Sequence, residues 1–394
     1  MSELAGRAAA GRSQLSGRLL VGGRLVPGTL QVAGGKIESL ALREPRAEDS
    51  ALPIVAPGLV DLHVHGYGGC DPVEQLPGMA RALARAGTTA FQPTLFPAEP
   101  SVLGGVCERS WRAAQALEGP VARAVGLHLE GPFVNPERAG ALPRHDLAEP
   151  SLAALRAILG PATGDGRGVR TVTLAPELRG SAELVTELVR CGVRVSLGHS
   201  KSTAAEARSA ARAGASGATH LFNAMNGVHH REVGLAGFAL IERALYAEII
   251  GDLVHVGGEA IELALAARGP KGLALVSDAL RGAGTGCDVF HSHGRDHLID
   301  DGTAYYPPGP GRPERQLAGT AMGQLDMVRR LVKRGVVGLE EALEMASETP
   351  ARALGLEREL GVLAAGARAD LIVLRGPELE LEDVLVGGES ALRG

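Results

Sequence analysis

Cysteine is scarce in this chain, and the few cysteines show no metal-binding or disulfide pattern. The four residues, Cys70, Cys107, Cys191 and Cys287, are far apart, and none belongs to a CxxC pair. This spacing excludes a zinc knuckle and gives no sign of a disulfide framework. A reducing compartment is therefore expected, and the cytoplasm is the predicted location.

Long apolar runs and long basic runs are also missing. No stretch reaches the ~18 uncharged apolar residues of a membrane-spanning helix, and residues 1–18 lack the continuous apolar core of a signal peptide. The formal net charge is −5, so the chain lacks the electrostatic pattern of a nucleic-acid-binding protein. We expect neither a membrane nor a nucleic acid as partner, and a small molecule as ligand.

Two kinds of sequence pattern alternate along the 394 residues. Residues 18–42 and 361–376 contain short alternating runs broken by Gly and Pro, which is typical of small antiparallel strands. Between them, β-rich runs alternate with Ala/Leu/Arg-rich stretches of helical period, which predicts βα units on a parallel sheet. The candidate strands are residues 59–65, 88–93, 124–130, 170–175, 193–198, 217–221, 246–252 and 273–277.

Eight such units predict an α/β fold, a (β/α)8 TIM-like barrel, whose active site would lie at the C-terminal ends of its strands. Six ionisable side chains fall at those ends. They are His63, His65, Glu130, His199, His220 and Asp278. A single histidine at a strand end is more often a structural, hydrogen-bonded residue. Six candidates at the ends of five strands of the same predicted barrel favour a shared functional site instead.

The chemistry of these side chains indicates a metal centre. Strand side chains alternate, so His63 and His65 share one face and would converge on one point inside a barrel. Imidazole and carboxylate donors suit Zn²⁺, Fe²⁺ or Mn²⁺, and a metal with an open coordination position lowers the pKa of a bound water. The pattern predicts metal-assisted hydrolysis, in which Asp278 is suited to carry a proton from water to a leaving amine.

Longer motifs carry a resemblance that runs in order from about residue 18 to residue 376. They are PGLVDLHVHG, HLEGPFVNPERAGA, LGHS, THLFNAMN, VSDA, LAGT, TPARALGL and GVLAAGARADLIVL. Together they resemble the N-acetylglucosamine-6-phosphate deacetylase family of the amidohydrolase superfamily. The resemblance implies removal of acetate from an acetamido sugar phosphate, with one or two divalent ions (Zn, or Fe, Mn or Co). It also implies a barrel over residues 57–355 and a small β-sandwich domain formed by residues 1–56 and 356–394.

The same resemblance suggests roles for individual residues. Glu130, His199 and His220 look like ligands of the principal metal. His63 and His65 look like ligands of a second metal that can share Glu130. Asp278 resembles the catalytic acid/base, and relatives without the histidine pair can work with one metal.

On the substrate side, the segment HLFNAMNGVHHRE supplies the candidates. Asn223 and the backbone N–H of Ala224 resemble phosphate contacts, and Arg231 resembles the phosphate-binding arginine of the family, a role that its bidentate fork suits. His255 matches a histidine that relatives insert into the site of the neighbouring subunit, so the resemblance implies a homodimer.

One position departs from the family pattern. Relatives usually carry a histidine that polarises the substrate carbonyl where this chain has Leu142. Three explanations follow: His145 reaches the same place, a metal on His63 and His65 polarises the carbonyl instead, or the substrate differs. The second explanation is favoured, with His145 and a different substrate kept as alternatives.

Residues 281–316 form a second departure because they are rich in Gly, Pro and His. His291, His293 and His297 have spacing that could bind metal. The segment is more typical of an exposed hairpin that covers the barrel mouth, with the sequence IDDGT as its turn.

Other functions compete with the main prediction. A dihydroorotase-type enzyme would use a carboxylated lysine at the end of strand 4, but Lys36, Lys201, Lys271 and Lys333 all lie elsewhere. A deacetylase of another acetamido sugar phosphate, such as N-acetylgalactosamine 6-phosphate, and a catalytically impaired sugar-phosphate-binding homologue both stay open.

Overall fold

The computed structural model describes residues 12–160, 166–309 and 314–393. Its first strands form an antiparallel meander that β4 joins in parallel to β1. These strands are β1 (Arg12–Val21), β2 (Arg24–Ala33), β3 (Lys36–Leu42) and β4 (Ile54–Pro57). The expected absence of a signal peptide rests on residues 1–18, and residues 1–11 lie outside the described part of the chain.

A parallel barrel follows, in the spatial order β5-β6-β8-β9-β10-β11-β12-β13, with the short β7 paired to β6. Every one of the eight predicted strands is present. The strands are β5 (Leu59–Val64), β6 (Thr88–Leu95), β7 (Arg123–Ala124), β8 (Leu127–Glu130), β9 (Val169–Leu174), β10 (Arg194–Leu197), β11 (Gly217–Ala218), β12 (Tyr246–Ile250) and β13 (Leu273–Val276).

The barrel closes where its first strand meets the segment after its last. Asp278 N donates to the carbonyl of His63 at 2.9 Å, and His65 N donates to the carbonyl of Ala279 at 2.9 Å. The buried carboxylate of Asp61 accepts from Ser277 N at 3.2 Å. Burial raises the pKa of Asp61 to about 7. Because closure joins the two segments at residues 63–65 and 277–279, it brings the predicted site residues of both together.

Helices pack their apolar faces around the barrel. The bounds of the longer ones are α1 (Leu76–Arg85), α2 (Pro100–Gln115), α3 (Leu152–Leu159), α4 (Ser181–Arg190), α5 (Ala204–Arg212), α6 (Gly234–Ile241), α7 (Gly258–Arg268), α8 (Gln324–Lys333), α9 (Leu339–Ala346) and α10 (Glu348–Ala353). In α8, for example, Leu325, Val328 and Leu331 recur at helical spacing and are all buried. Among the described residues, no helix is long and apolar enough to cross a bilayer.

A small antiparallel sheet lies over the C-terminal ends of the barrel strands. It consists of β14 (Val289–Ser292), β15 (Arg295–Asp300), β16 (Thr303–Tyr306) and β17 (Gln316–Thr320). Asp300 pairs with Thr303 across the turn, so the predicted IDDGT hairpin is confirmed. β17 bridges to Ala279 beside the barrel, and residues 310–313 lie outside the described part of the chain.

The last strands return to the N-terminal sheet. They are β18 (Leu371–Arg375), β19 (Glu380–Val386) and β20 (Glu389–Ser390), and β18 pairs antiparallel with β4. The result is one seven-stranded sheet in the order β20-β19-β18-β4-β1-β2-β3. Side chains from distant strands of this sheet, such as Leu30 and Leu371, share one apolar core, so the sheet wraps around it. The predicted fold class, a barrel with a β domain built from both chain ends, is confirmed.

Candidate active site

Glu130, the last residue of β8, lies at the centre of a cluster of imidazoles. Its Oε1 is 2.9 Å from His199 Nε2 and 3.0 Å from His220 Nε2. The two histidine nitrogens are themselves 3.0 Å apart, and all three side chains are buried. The ligand atoms of these three residues all lie within 4.8 Å of one another, which is the arrangement that a shared cation requires.

His63 and His65 form a second group beside the same carboxylate, with His63 Nε2 3.5 Å from Glu130 Oε1. His65 Nε2 is 3.1 Å from Glu130 Oε2, and the Nε2 atoms of the two histidines are 3.2 Å apart. The i, i+2 spacing therefore places both rings inside the barrel, as predicted. One buried carboxylate with a histidine pair on each side has the donors for two divalent ions, with Glu130 able to bridge them.

The backbone at these positions is bent in a way that L residues rarely adopt. His199, His220 and Asp278 have φ angles of 47°, 30° and 47°, in the left-handed region. Each lies two residues beyond the end of a barrel strand, where the chain turns and points its side chain over the barrel mouth. Such conformations are strained and cluster at functional sites.

Partners of the remote ring nitrogens hold two of the imidazoles in place. His199 Nδ1 donates to the carbonyl of Arg138 at 2.8 Å, and His63 Nδ1 donates to Glu248 Oε2 at 3.1 Å. Both bonds leave Nε2 directed towards Glu130. A hydrogen bond to the other ring nitrogen fixes the tautomer and orientation of a metal-binding histidine.

The surrounding imidazoles stabilise the negative charge of the buried Glu130 carboxylate. Burial alone would raise the pKa of this carboxyl group, but the imidazoles of His63, His199 and His220 hold the pKa well below its usual range. Conversely, the carboxylates of Glu130 and Asp278 outweigh the effect of burial and raise the pKa of His63. A buried anion among four imidazoles fits a cation site, and this donor set accepts Zn, Fe, Mn or Co.

Asp278 lies beside the histidine pair. Its Oδ1 is 3.6 Å from His63 Nε2 and 3.7 Å from His65 Nε2, and its side chain is only 15% exposed. The carboxylate thus faces the point where both groups of donors meet. From there it can exchange a proton with a water or a leaving group held at the cluster.

Sequence reasoning missed Glu248 and His128. Glu248 lies within β12, rather than after it, and His128 is two residues before Glu130 on the same face of β8. His128 Nε2 and Thr173 Oγ1 form a hydrogen bond of 2.8 Å. Burial lowers the pKa of His128 to about 3, so its imidazole stays neutral. Strand alternation could have identified His128, but nothing in the sequence pairs Glu248 with His63.

We expect Glu248→Gln to weaken metal binding at the His63–His65 group by roughly 10–100-fold, because a neutral amide supports the His63 ring less well. The group formed by Glu130, His199 and His220 should keep its ion. Metal stoichiometry during titration with a chelator measures both sites separately. Glu262→Gln, on the exposed face of α7, is the matched control, and equal loss from both sites would contradict the assignment.

A pocket of about 440 Å³, here called the main pocket, opens above the cluster. Asn223, Ala224 and His255 line it together with Glu130, His199, His220 and Asp278. Ala224, with φ of 50°, has no hydrogen bond to its N–H from any described residue. Asn223 and Ala224 therefore line the same pocket as the histidine–carboxylate cluster.

Two other candidates differ in where they lie within the single chain. Arg231 is exposed, bonds to His230 Nε2 at 2.7 Å and does not line the main pocket of its own chain. His255, expected to enter a neighbouring subunit, lines its own main pocket, because Asp252 Oδ2 accepts from its Nδ1 at 2.7 Å and holds it there. Arg315, which the sequence did not single out, lines the same pocket and pairs with Asp300.

A second space of about 580 Å³, here called the side cavity, adjoins the main pocket. The two share His65, Phe96, Ala141 and Ala318. Leu142 is buried against Val134 and Ala139 and lines the main pocket. The side chain of His145 is 78% exposed and lines the side cavity instead. In this structure His145 does not line the main pocket beside Leu142.

The His-rich segment does not form a metal site among the described residues. His291 is exposed and pairs with Asp296, whereas His293 and His297 line the side cavity. Burial lowers the pKa of His297 to about 4, and its ring stacks on Phe290 with centroids 4.6 Å apart. The segment covers the barrel mouth, as predicted, and also forms one wall of the side cavity.

Comparison with known proteins agrees with this architecture. The amidohydrolase family model matches residues 54–391. The chain is 35% identical over 391 residues to the human N-acetylglucosamine-6-phosphate deacetylase, covering 94% of this chain and 93% of that protein. It is 31% identical over 366 residues to the N-acetylgalactosamine-6-phosphate deacetylase of Escherichia coli O157:H7, covering 92% and 94%.

A solved structure shows the same fold over its whole length. The N-acetyl-D-glucosamine-6-phosphate deacetylase of Mycobacterium smegmatis, in a mutant complex with N-acetyl-D-glucosamine 6-phosphate, superposes with a TM-score of 0.86 at 30% identity, covering 97% of this chain and 100% of that one. The family model, together with the closed parallel barrel and its histidine–carboxylate cluster, shows that this chain is an amidohydrolase. Within that class, the chain belongs to the N-acetylglucosamine-6-phosphate deacetylase family.

Proposed function

We propose that this chain hydrolyses N-acetylglucosamine 6-phosphate to glucosamine 6-phosphate and acetate. The observation that carries the proposal is the convergence of four buried histidines on Glu130, with Asp278 beside two of them, at the main pocket. The human relative, 35% identical, and the Mycobacterium smegmatis structure are both named for this reaction.

The chain's own residues divide the chemistry between them. Glu130, His199 and His220 would hold one divalent ion and His63 with His65 a second, and such ions activate water and polarise an amide carbonyl. Asp278 accepts the proton of the attacking water at Oδ1 and passes it to the sugar nitrogen as the C–N bond breaks. Glu130 and Asp278 are both largely buried, so bulk water is kept from the transferring proton.

We assign phosphate recognition to polar residues of the main pocket that do not belong to the histidine–carboxylate cluster. The N–H of Ala224 and the amide of Asn223 are the polar groups that we assign to the phosphate, and Arg315 adds a positive charge at the same pocket. Arg231 lies outside the pocket of its own chain, so a phosphate contact by Arg231 requires a second copy of the chain. We therefore keep the homodimer as part of the proposal, and light scattering of the purified protein tests it.

Acetate release from a panel of acetamido sugars tests the function. On protein of measured metal content, we expect release from N-acetylglucosamine 6-phosphate, and a kcat/KM at least ~100-fold lower without the phosphate, since an unpaired polar site loses several kcal/mol. Dihydroorotate is the control for a cyclic-amide hydrolase and should not be opened. Failure to release acetate from every acetamido sugar phosphate would overturn the proposal.

A second candidate is the galacto epimer of the substrate. The Escherichia coli relative, 31% identical over 92% of this chain, is named N-acetylgalactosamine-6-phosphate deacetylase. Both epimers present the same amide and the same phosphate to the residues assigned above. The ratio of kcat/KM for the two epimers in the same panel decides between them. The cytoplasm is the location that we propose for either reaction.

Leu142→His is expected to change kcat/KM by less than about tenfold, since we assign carbonyl polarisation to the His63–His65 group and not to position 142. Steady-state kinetics of acetate release measures the effect. Leu142→Met, of similar volume, controls for altered packing against Val134 and Ala139. A gain of ~100-fold or more would show that the missing histidine limits this enzyme.

A further inference from the structure

We propose that the side cavity is an acyl-binding compartment, and that the chain hydrolyses N-acyl glucosamine 6-phosphates with acyl groups longer than acetyl. This inference rests on the proposed function, because it takes the substrate amide to lie between Asp278 and Glu130. It extends that function from one acyl group to a class of unbranched acyl groups.

The position of the cavity fixes which half of the substrate it would receive. The side cavity shares His65, Phe96, Ala141 and Ala318 with the main pocket, but not Asn223, Ala224 or His255. The two spaces therefore join on the His65 side of the catalytic cluster. The sugar and the acyl chain leave a planar amide in opposite directions, so a sugar phosphate held at Asn223 and Ala224 directs its acyl group towards Phe96.

The walls near this junction suit an alkyl chain. Phe96, Leu103, Val106, Leu280 and Ala318 contribute apolar surface to the side cavity, whose lining also contains charged side chains such as Arg281 and Arg295. Phe96 stacks on His65 with ring centroids 3.9 Å apart, so it marks the boundary between the reacting centre and the cavity. The cavity also reaches solvent, since His145 lines it and its side chain is 78% exposed.

The cavity is much larger than acetate hydrolysis requires. An acetyl methyl group is roughly the size of one water molecule, which occupies about 30 Å³ in the liquid, against about 580 Å³ for the side cavity. Each methylene buried on such walls is expected to favour binding about fourfold. Longer chains should therefore bind rather than clash.

The reaction balances in the same way for every acyl length. Water oxygen bonds to the carbonyl carbon, the C–N bond breaks, and Asp278 transfers the proton to the nitrogen. One amide and one water give one carboxylate and one protonated amine, without an oxidant or a further reactant.

A chain-length series tests the proposal on the metal-loaded protein. Glucosamine 6-phosphate release is measured from the N-acetyl, N-propionyl, N-butyryl and N-hexanoyl compounds. We expect kcat/KM for the butyryl compound within about tenfold of the acetyl compound. A loss of more than ~100-fold at butyryl, with the acetyl compound turned over normally, would overturn the compartment and leave the proposed function intact.

Val106→Trp fills the cavity from α2 without touching the main pocket. We expect the butyryl kcat/KM to fall at least ~10-fold and the acetyl value to change less than ~2-fold. Val102→Trp is the matched control, since Val102 lies one turn earlier on the same helix, is 56% exposed and lines neither space. Equal losses for both substrates in Val106→Trp would contradict the proposal.

If no compound is hydrolysed, a binding measurement tests the acyl-binding compartment independently of the proposed deacetylase function. Hexanoate is the probe, and saturation transfer to its alkyl protons reports contact with the protein. Binding that Val106→Trp removes and Val102→Trp preserves supports the compartment even where the proposed function fails. Absence of hexanoate binding together with no butyryl turnover overturns it.

Discussion

Asp278→Asn is expected to lower kcat for acetate release by about 10²–10⁴-fold, the usual contribution of a positioned general acid/base. Asparagine keeps the shape of the side chain but neither accepts the proton of water nor donates one to the departing nitrogen. Because Asp278 lies 3.6–3.7 Å from the histidine pair without bonding Glu130, metal content should stay near that of the unchanged protein. Single-turnover kinetics with metal analysis measures both quantities.

The exposed carboxylate of Asp326, which pairs with Arg329 on α8, provides the control. Asp326→Asn should leave kcat unchanged. If Asp278→Asn retained more than about a tenth of the activity, the proton transfer would have to be assigned to another group.

Glu130→Gln should have the largest effect on metal binding, because both groups of histidines meet at this carboxylate. Removing one partner from a buried charge cluster costs about 3–5 kcal/mol, which corresponds to about 10²–10⁴-fold in affinity. We expect less than one ion per chain after dialysis and no measurable acetate release. Elemental analysis and thermal unfolding with and without added Zn²⁺ provide the measurements.

Glu137→Gln is the matched control for this change, since Glu137 is 73% exposed and pairs with Lys201 away from the cluster. Its metal content should equal that of the unchanged protein. Full metal occupancy in Glu130→Gln would contradict the bridging position of Glu130 and would leave the histidines as the sole ligands.

Local rules explain why so much of the site was predictable. The alternation of strand side chains placed His63 and His65 on one face, and their Nε2 atoms do lie 3.2 Å apart. Strand ends in a barrel share one rim, so Glu130, His199, His220 and Asp278 could be grouped from the positions of their strands alone.

Contacts between distant segments, or between chains, were less accessible to sequence reasoning. Glu248 supports His63 from a strand 185 residues away, and no local pattern links the two. His255 bonds to Asp252 and lines the main pocket of its own chain, and its contribution to the site of a neighbouring subunit stays a prediction. Arg231 matches a motif by sequence offset; its exposed side chain bonds to His230, and its contact with a phosphate stays a prediction.

The sequence by itself determined the eight strands, the order in which they carry ligands and the chemical type of the centre, because these follow from periodicity and side-chain chemistry. Only the tertiary structure decided how the four histidines are distributed around the two oxygens of Glu130, and that a side cavity opens beyond Phe96. Both depend on how β8, the barrel closure and the mouth sheet pack against one another. Packing between segments far apart in the chain leaves no periodic trace in the sequence.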